Sequence, residues 1–455
     1  MAAGAGTRMR SSLPKMLHPV CGRPLVAWPV LAAREAGAGR VGAIVSPGID
    51  ISAGLPDGVE TVVQPQPDGT GGAVRAALPL IEEAKTVLVL SGDHPLISAE
   101  IVSSFLEAHA ASDSAATMMT IELDDPGSYG RVIRGADGGV ERVVEAKADG
   151  DASAEELAIR EINAGTYAFD AGLLAIALAG LSNDNAQGEY YLTDVFAALR
   201  EAGHPVAGHR ANDFAVTMGV NNRVELAAVE AEGRRRILER HMLAGVTVVD
   251  PGTTWIDADV EIAADARIEP GTSLRGATAI GGGSVVGPLS TLIDTRLGKG
   301  VAVPHSYLVE CDVLDNCNVG PYAYLRPGAH LEPGAKAGTF VEIKNSHIGA
   351  GAKVPHLAYV GDAEVGAGSN LGAGTITANY DGFRKHRTTI GKDVRIGVDT
   401  MLIAPVQVGD AAYTGAGAVI KQDVPEGALA VSENDQRNIE GYAEGKAAKA
   451  REEDS

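Results

Sequence analysis

At 455 residues the chain exceeds what one hydrophobic core supports, so two domains and a linker are expected. Its 45% apolar content excludes disorder for the bulk, and no apolar run reaches the roughly 18–20 residues of a bilayer span. The formal net charge of −21 points to a soluble protein and away from nucleic acid or a membrane as main partner, so a phosphate ligand must meet locally placed cations and backbone N–H groups.

The start, Met1-Ala2-Ala3-Gly4-Ala5-Gly6-Thr7-Arg8, lacks the charged-then-apolar layout of a secretion signal. Its glycines let the backbone come close to a phosphate chain, successive N–H groups form an anion cradle, and Arg8 and Lys15 add charge. A Gly-x-Gly pair alone is as readily a tight turn. Cys21, Cys311 and Cys317 are an odd, sparse set without metal spacing, which suits unpaired thiols in a reducing cytoplasm.

The apolar run Val87–Leu90 reads as a buried parallel strand ending at a functional loop, Ser91-Gly92-Asp93. Asp93 there is either a ligand or a turn acid. Ser98 is placed to cap a helix with Ile101, Phe105 and Leu106 on one face. Residues 115–121, 140–145 and 161–169 read as further strands, and 187–201 as a helix. Residues 222–243 read as a connecting helix, with Leu226, Val229, Ile237 and Leu238 on its stripe and the triplet Arg234-Arg235-Arg236 as a solvated face.

From Ile262 the apolar residues beat in sixes: Ile268, Leu274, Ile280, Val286 and Leu292. The beat returns at Val319, Leu325, Leu331, Ala337 and Ile343, slips by one to Ile348, Val354 and Val360, and slips again to Val365 and Leu371. It ends with Ile390, Ile396, Leu402, Val408, Thr414 and Ile420. Neither a helix nor an ordinary strand has this period, whereas a parallel β-helix that turns a corner every six residues does. Few aromatics and 57 glycines suit its narrow interior and tight corners. The segment Thr377–Arg387 interrupts the hexads and is expected to loop out, carrying Arg384, Lys385 and Arg387. Residues 445–455 are expected to be a frayed tail.

Three faces of six residues make an 18-residue coil, so Arg326 and Lys344, each following an inward residue, should stack cation over cation. Such stacking costs energy unless an anion lies between them, although two solvated cations are the alternative on pattern alone.

The full string Ala-Ala-Gly-Ala-Gly-Thr-Arg-Met-Arg-Ser-x-Leu-Pro-Lys resembles the signature of sugar-1-phosphate nucleotidyltransferases. With Gly69-Thr70-Gly71, Ser91-Gly92-Asp93, Tyr129-Gly130-Arg131, Glu161–Gly165, Asn185–Tyr191, Gly219–Arg223 and the hexads, nearly the whole chain resembles the bacterial bifunctional N-acetylglucosamine-1-phosphate uridyltransferase/glucosamine-1-phosphate acetyltransferases. The resemblance implies an α/β Rossmann-like nucleotidyltransferase domain (1–221), a helical linker (222–244), a left-handed parallel β-helix of hexapeptide repeats (245–440) and a charged tail (441–455). It implies that Ala2, Ala3, Gly4, Gln64, Gly69 and Thr70 meet the uridine, with Ser91 and Gly92 beside it. Arg8 and Lys15 face the phosphates, Gly130, Glu145 and Asn163 hold the sugar, and Asp93 and Asn221 bind Mg²⁺. In the β-helix it implies His356 as catalytic base oriented by Glu342, with Arg326, Lys344, Tyr359 and Asn370 on the aminosugar phosphate. Ala373, Asn379, Tyr380, Lys385, Val398 and Ala416 are the implied contacts of acetyl-coenzyme A. UTP and acetyl-coenzyme A are the implied co-substrates, and a cytoplasmic homotrimer supplying cell-envelope precursors is the implied setting.

The chain also departs from that family. Family members carry an apolar strand immediately before the Gly-rich loop, and here the chain begins inside the loop, so the first central strand is expected to be missing. Ser91 stands where tyrosine is usual, Val398 where serine is common, and Glu433 where an arginine often binds the nucleotide end, with Arg437 close enough to substitute. A nucleotidyltransferase whose β-helix only trimerises or regulates is the rival reading, and an acyltransferase with an inactive first half is a third.

Overall fold

The computed structural model describes residues 1–4, 6–144, 146, 152–185, 187–432 and 438–453. Glu145, Glu433 and Arg437 lie outside them. The chain forms two compact units, Met1–Ile237 and Leu238–Ser455. No helix among the described residues is long and apolar enough to cross a membrane.

The first unit is α/β. The long strand Glu161–Asp170 lies between Ala116–Glu122 on one side and Thr86–Val89 and Arg131–Arg134 on the other. Val206–Arg210 and Val140–Val144 extend the sheet at its ends. Ala116–Glu122 is buried at every position but the last, because apolar residues alternate on neither face and helices cover both. The four strands read from sequence are present, but the one expected to be parallel, Thr86–Val89, pairs antiparallel with Glu161–Asp170, from Thr86 opposite Asp170 to Val89 opposite Tyr167. Gly42–Val45, Glu60–Val63, Arg131–Arg134 and Val206–Arg210 add to them. Ser98 caps the helix Ala99–Ser112 through Ile101 N–H at 3.3 Å. Its buried face is Val102, Phe105 and His109, with Ile101 and Leu106 only partly covered.

Two expectations are corrected here. The helix expected over 187–201 occupies only Asp194–Glu201. The preceding backbone is spent elsewhere: Tyr190 accepts from Gly71 N–H at 2.7 Å and donates to the Asp68 carbonyl at 2.8 Å. The basic triplet on the helix Arg223–Leu243 is not simply solvated either. Arg236 makes a bidentate pair with Asp213, both bonds 2.8 Å, and also holds Glu232, pinning the turn Phe214–Thr217 to the helix.

Met1 joins the segment after Thr86–Val89 in parallel, donating to Leu90 O at 2.6 Å and accepting from Gly92 N–H at 2.8 Å. Ala2 N–H donates to Ile44 O at 2.8 Å, so these two residues lie between the edges of Gly42–Val45 and Thr86–Val89. A cavity of about 600 Å³ lies beside them, lined by Val30, Ile44, Val74, Val87 and Val89 among others.

The second unit is the left-handed parallel β-helix. Its described strands form three parallel sheets of eleven, ten and nine. Every hexad position named above is buried except Ile262, which is half-buried near the first coil. The slips are visible as register: Lys336 pairs with Lys353 and His330 with His347, 17 residues on, whereas Tyr324 pairs with Glu342, 18 on. Corners force left-handed backbone. At Gly320 (φ +105°) a Cβ would lie 2.5 Å from the Pro304 carbonyl oxygen, so no side chain fits. Cys311 and Cys317 are free and buried, and burial pushes their thiols up to about 12 and about 11. The excursion leaves between Ile376–Ala378 and Thr388–Ile390 as expected. It is no slack loop: Asp381 accepts from Phe383 and Arg384 N–H groups and pairs with His386 at 2.7 Å. The tail expected to fray is helical over Tyr442–Glu453.

Candidate active sites

In the first unit three distant residues converge. Lys15, 9% exposed, donates to Asp93 Oδ2 at 2.5 Å and Asn221 Oδ1 at 3.2 Å. Their positions follow from local chemistry. Gly6 (φ +63°) packs on the Lys15 stem so closely that a Cβ would stand 2.6 Å from the lysine's own. Asp93 follows a buried strand, and its carbonyl accepts from Val220 N–H at 3.0 Å, bringing Asn221 alongside. Asn222 then caps the helix Arg223–Leu243 by accepting from Val224 and Glu225 N–H groups. Burial pushes the Asp93 carboxyl up, but His94 and Lys15 outweigh it and hold it below the usual carboxylate range. Burial holds the His94 imidazole below its ordinary range.

The Gly-rich turn Gly69-Thr70-Gly71 is wedged against the 189–192 segment. A Cβ at Gly69 (φ +98°) would meet the Tyr190 carbonyl oxygen at 2.5 Å. Gln64, buried, donates to Asp68 Oδ1 at 2.8 Å and to the Gly69 carbonyl at 3.0 Å, fixing the turn's approach. Thr70 Oγ1 accepts from Leu192 N–H. Across the site, Asn163 N–H donates to the Gly130 carbonyl at 3.0 Å, and its side chain accepts from Gly165 N–H. Ser91 Oγ reaches the Gly165 carbonyl at 3.4 Å. Ala2 is buried, the Ala3 carbonyl accepts from the Ser46 hydroxyl, and Gly4 and Arg8 are exposed.

In the β-helix, Arg326 and Lys344 stack on successive coils of one face, Arg326 N–H donating to Ile343 O at 2.8 Å. Carboxylates separate the charges: Arg326 pairs with Glu342 at 2.8 Å and Lys344 with Asp362 at 3.3 Å. Glu342 therefore serves Arg326, not His356 as the resemblance implied, because the coil register sets it beside the guanidinium. Lys385 arrives from the excursion. The neighbouring Lys344 ammonium holds it below the usual lysine range. Three cations against two carboxylates leave the corner positive, the condition for holding a phosphate.

His356 is exposed at the end of the strand Lys353–His356, at the corner leading to Tyr359–Gly361. A column rises from it along the same corner. Gly374 N–H donates to His356 O, Asp399 N–H to Ala373 O, and Gly417 N–H to Val398 O, which stacks Ala373, Val398 and Ala416 on successive coils above the imidazole. In this column Ala373 is half-buried and Val398 and Ala416 are exposed. Asn370 begins the strand next above Lys353, and Tyr359 pairs in register with Glu342. Asn379 is buried, its amide on Asp362 at 2.5 Å, whereas Tyr380 is exposed and pairs across the excursion with Lys385.

Asp362 is the residue that sequence reasoning missed. This buried carboxylate accepts from Lys344, Asn345 and Asn379. Burial pushes it up, but these three partners hold it below the usual range. The period could not have found it, because the register slips here and Gly361, 17 residues on, is the residue paired with Lys344.

A Gly-rich α/β unit with a Lys–Asp–Asn convergence, followed by a β-helix with a cationic corner and an exposed imidazole, defines a nucleotidyltransferase fused to a hexapeptide-repeat transferase. The MobA-like NTP transferase domain matches residues 1–244. The chain is 48% identical to the bifunctional protein GlmU of Corynebacterium efficiens, covering 98% of this chain and 93% of that one. It is 49% identical to the protein of that name from Streptomyces avermitilis (97% and 92% covered) and 47% identical to that of Mycobacterium tuberculosis H37Ra (98% and 92%). The chain belongs to the bifunctional GlmU family.

Proposed function

We propose that one polypeptide carries two activities of UDP-N-acetylglucosamine synthesis. The β-helix acetylates glucosamine-1-phosphate from acetyl-coenzyme A, and the α/β unit joins the product to UMP from UTP, releasing pyrophosphate. The observation that carries the reading is the pairing of two separate anion sites, Lys15 with Asp93 and Asn221 in one unit and Arg326 with Lys344 in the other, the second beside an exposed histidine.

For uridylyl transfer, the Asp93 and Asn221 oxygens both turn toward one ammonium. That hard oxygen pair suits Mg²⁺, which typically keeps one or two protein oxygens and fills its other positions with water and phosphate. When bound it would neutralise triphosphate charge, and Lys15 would be freed toward the phosphates. The Gly69–Gly71 turn and Gln64 would receive the base, and Gly130 and Asn163 the sugar. The sugar phosphate oxygen attacks the α-phosphorus in line, and pyrophosphate leaves.

For acetyl transfer, Arg326, Lys344 and Lys385 hold the sugar phosphate and orient its amine. The amine nitrogen attacks the thioester carbonyl, the His356 imidazole takes the proton, and the coenzyme thiolate leaves. An imidazole suits that task near neutral pH. The pantetheine arm lies along the Ala373–Val398–Ala416 column, with Tyr380 at its side. No covalent cysteine step is needed, because the thioester is already activated.

The working assembly is a trimer. Leu289, Tyr322, Phe340 and Leu357 form an exposed apolar ridge on the corner that His356 ends, between 56% and 66% exposed. Tyr322 and Phe340 stack at 5.4 Å. A neighbouring copy would cover this ridge. Light scattering should give three times the 46.7 kDa chain mass. The free thiols of Cys311 and Cys317 suit a cytoplasmic setting.

The function is tested by supplying glucosamine-1-phosphate, acetyl-coenzyme A, UTP and Mg²⁺ to the purified chain. Thiol release and pyrophosphate release are both expected. Pyrophosphate release from added N-acetylglucosamine-1-phosphate without any thiol release would instead make the β-helix an assembly module.

A further inference from the structure

The third face of the β-helix carries neither His356 nor the Arg326–Lys344 pair. On it, His330 and His347 stand in register on successive coils, with rings stacked at 5.3 Å and 15°. Both point their Nε2 atoms at one oxygen of Glu332: His330 Nε2 lies 3.3 Å and His347 Nε2 3.1 Å from Glu332 Oε1. The three donor atoms all lie within 4.8 Å of one another.

These spacings are those of a metal's coordination shell. Zinc–nitrogen and zinc–oxygen bonds of about 2.0–2.1 Å in a tetrahedron put neighbouring ligand atoms about 3.3 Å apart. Two of the three edges already have that length. The side chains are each about one-third exposed (34%, 36% and 32%), so small rotations can close the third edge and a fourth position opens to water.

A second, independent observation concerns the far nitrogens. Glu364 Oε1 lies 2.6 Å from His347 Nδ1, and Asp312 Oδ2 lies 3.9 Å from His330 Nδ1. Each acid is in turn held by an arginine, Asp312 by Arg296 at 2.8 Å and Glu364 by Arg387 at 3.0 Å. These acids act on the imidazoles through charge alone, since Asp312 is beyond hydrogen-bond reach and His347 Nδ1 makes no hydrogen bond; the negative charge near each Nδ1 favours a proton there and leaves Nε2 to face the common centre. The acids come from the coils below and above, so four coils cooperate in one polar array.

We propose that His330, Glu332 and His347 bind one divalent transition-metal ion of the Zn²⁺ class, clipping two successive coils of the β-helix together. Two imidazoles and one carboxylate with an open position select Zn²⁺, Co²⁺ or Ni²⁺ over Mg²⁺, so the site is chemically distinct from the oxygen pair Asp93 and Asn221. Binding displaces protons from the imidazoles and is therefore weakened at low pH.

The test is calorimetric titration of the chelator-stripped full-length protein with Zn²⁺, in buffer containing excess Mg²⁺. One equivalent per chain in the micromolar range or tighter is expected, together with the intense visible absorption of tetrahedral Co²⁺ when that ion is used. His330→Ala and His347→Ala should each weaken binding at least about 100-fold, and Glu364→Gln roughly 10-fold, since outer carboxylates typically contribute 10–100-fold. Asp93→Asn should leave Zn²⁺ binding unchanged. Circular dichroism checks that the variants are folded, and the wild-type Co²⁺ spectrum reports geometry without any variant. No micromolar binding by the wild type, or binding as tight as wild type in either histidine variant, overturns the proposal.

Discussion

Replacing Asp362 by alanine tests the architecture of the acetyl-transfer corner. The carboxylate receives hydrogen bonds from Lys344, Asn345 and Asn379, and the Lys344–Asp362 pair is only 18% and 11% exposed. Removing one partner of a buried charge pair costs about 3–5 kcal/mol. Residual solvent access around Lys344 and the exposure of Asn345 place this case near the lower end, about 3 kcal/mol. The functional effect is separable. A freed Lys344 ammonium no longer sits in register above Arg326, and losing one charge-assisted hydrogen bond to the substrate phosphate costs about 1.5–3 kcal/mol. That is roughly 10–100-fold in kcat/KM for acetyl transfer, falling mainly on KM for glucosamine-1-phosphate. Asp362→Asn, which keeps the volume, should fall between. The assay follows thiol release for acetyl transfer and pyrophosphate release for uridylyl transfer on the same preparation, with urea unfolding for stability. Uridylyl transfer should stay within about twofold of wild type, since its site belongs to the other compact unit. Acetyl-transfer constants that do not change, or a parallel fall in both activities, would refute the reasoning.

Other consequences can be measured directly. Gly69→Val places a branched side chain at φ +98° against the Tyr190 carbonyl and should lower uridylyl transfer by more than about tenfold while sparing acetyl transfer, by the usual cost of about 1–3 kcal/mol for a strained residue; pyrophosphate assays at wild-type rate would contradict it. Ala416→Trp should obstruct the column above His356 and raise KM for acetyl-coenzyme A far more than KM for glucosamine-1-phosphate. His241 is buried, and burial, with the Arg240 charge second, depresses its pKa to about 4 against about 6.5 in the unfolded chain. Below about pH 6.5 the unfolded chain takes up a proton that the fold resists. The stability that this group contributes is thus complete above that pH and is lost as pH falls toward 4. His241→Leu should flatten the acid limb of urea-unfolding stability over that window, and an unchanged slope would show that His241 does not control it.

Much of the second unit could be read from its residues because a solenoid repeats one physical rule. Each inward position must be small or aliphatic, so the hexads named their own buried residues from Ile268 to Ile420. The same period placed Lys344 over Arg326. What the period cannot convey is which side chains meet between coils once single-residue slips alter the register. Asp362 on Lys344 and Glu342 on Arg326 depend on corner geometry that no motif records. The His330–Glu332–His347 cluster escaped for the same reason, since its histidines are 17 residues apart, not 18. In the first unit the Gly-rich strings marked the loops, but the backbone partnership of Gly71 with Tyr190 removed helix from a stretch whose composition permitted it. Arg236 looked like one of three solvated cations, and only the fold brought Asp213 to it.

The central claim is that the two units carry separate chemistries, with His356 as the proton acceptor of one of them. The most direct measurement is the pair of activities of His356→Ala, each with its own substrates added. The account predicts that acetyl transfer is abolished and pyrophosphate release from UTP and N-acetylglucosamine-1-phosphate continues at the wild-type rate. Acetyl transfer that survives the substitution, or equal loss of both activities in a folded protein, would contradict it.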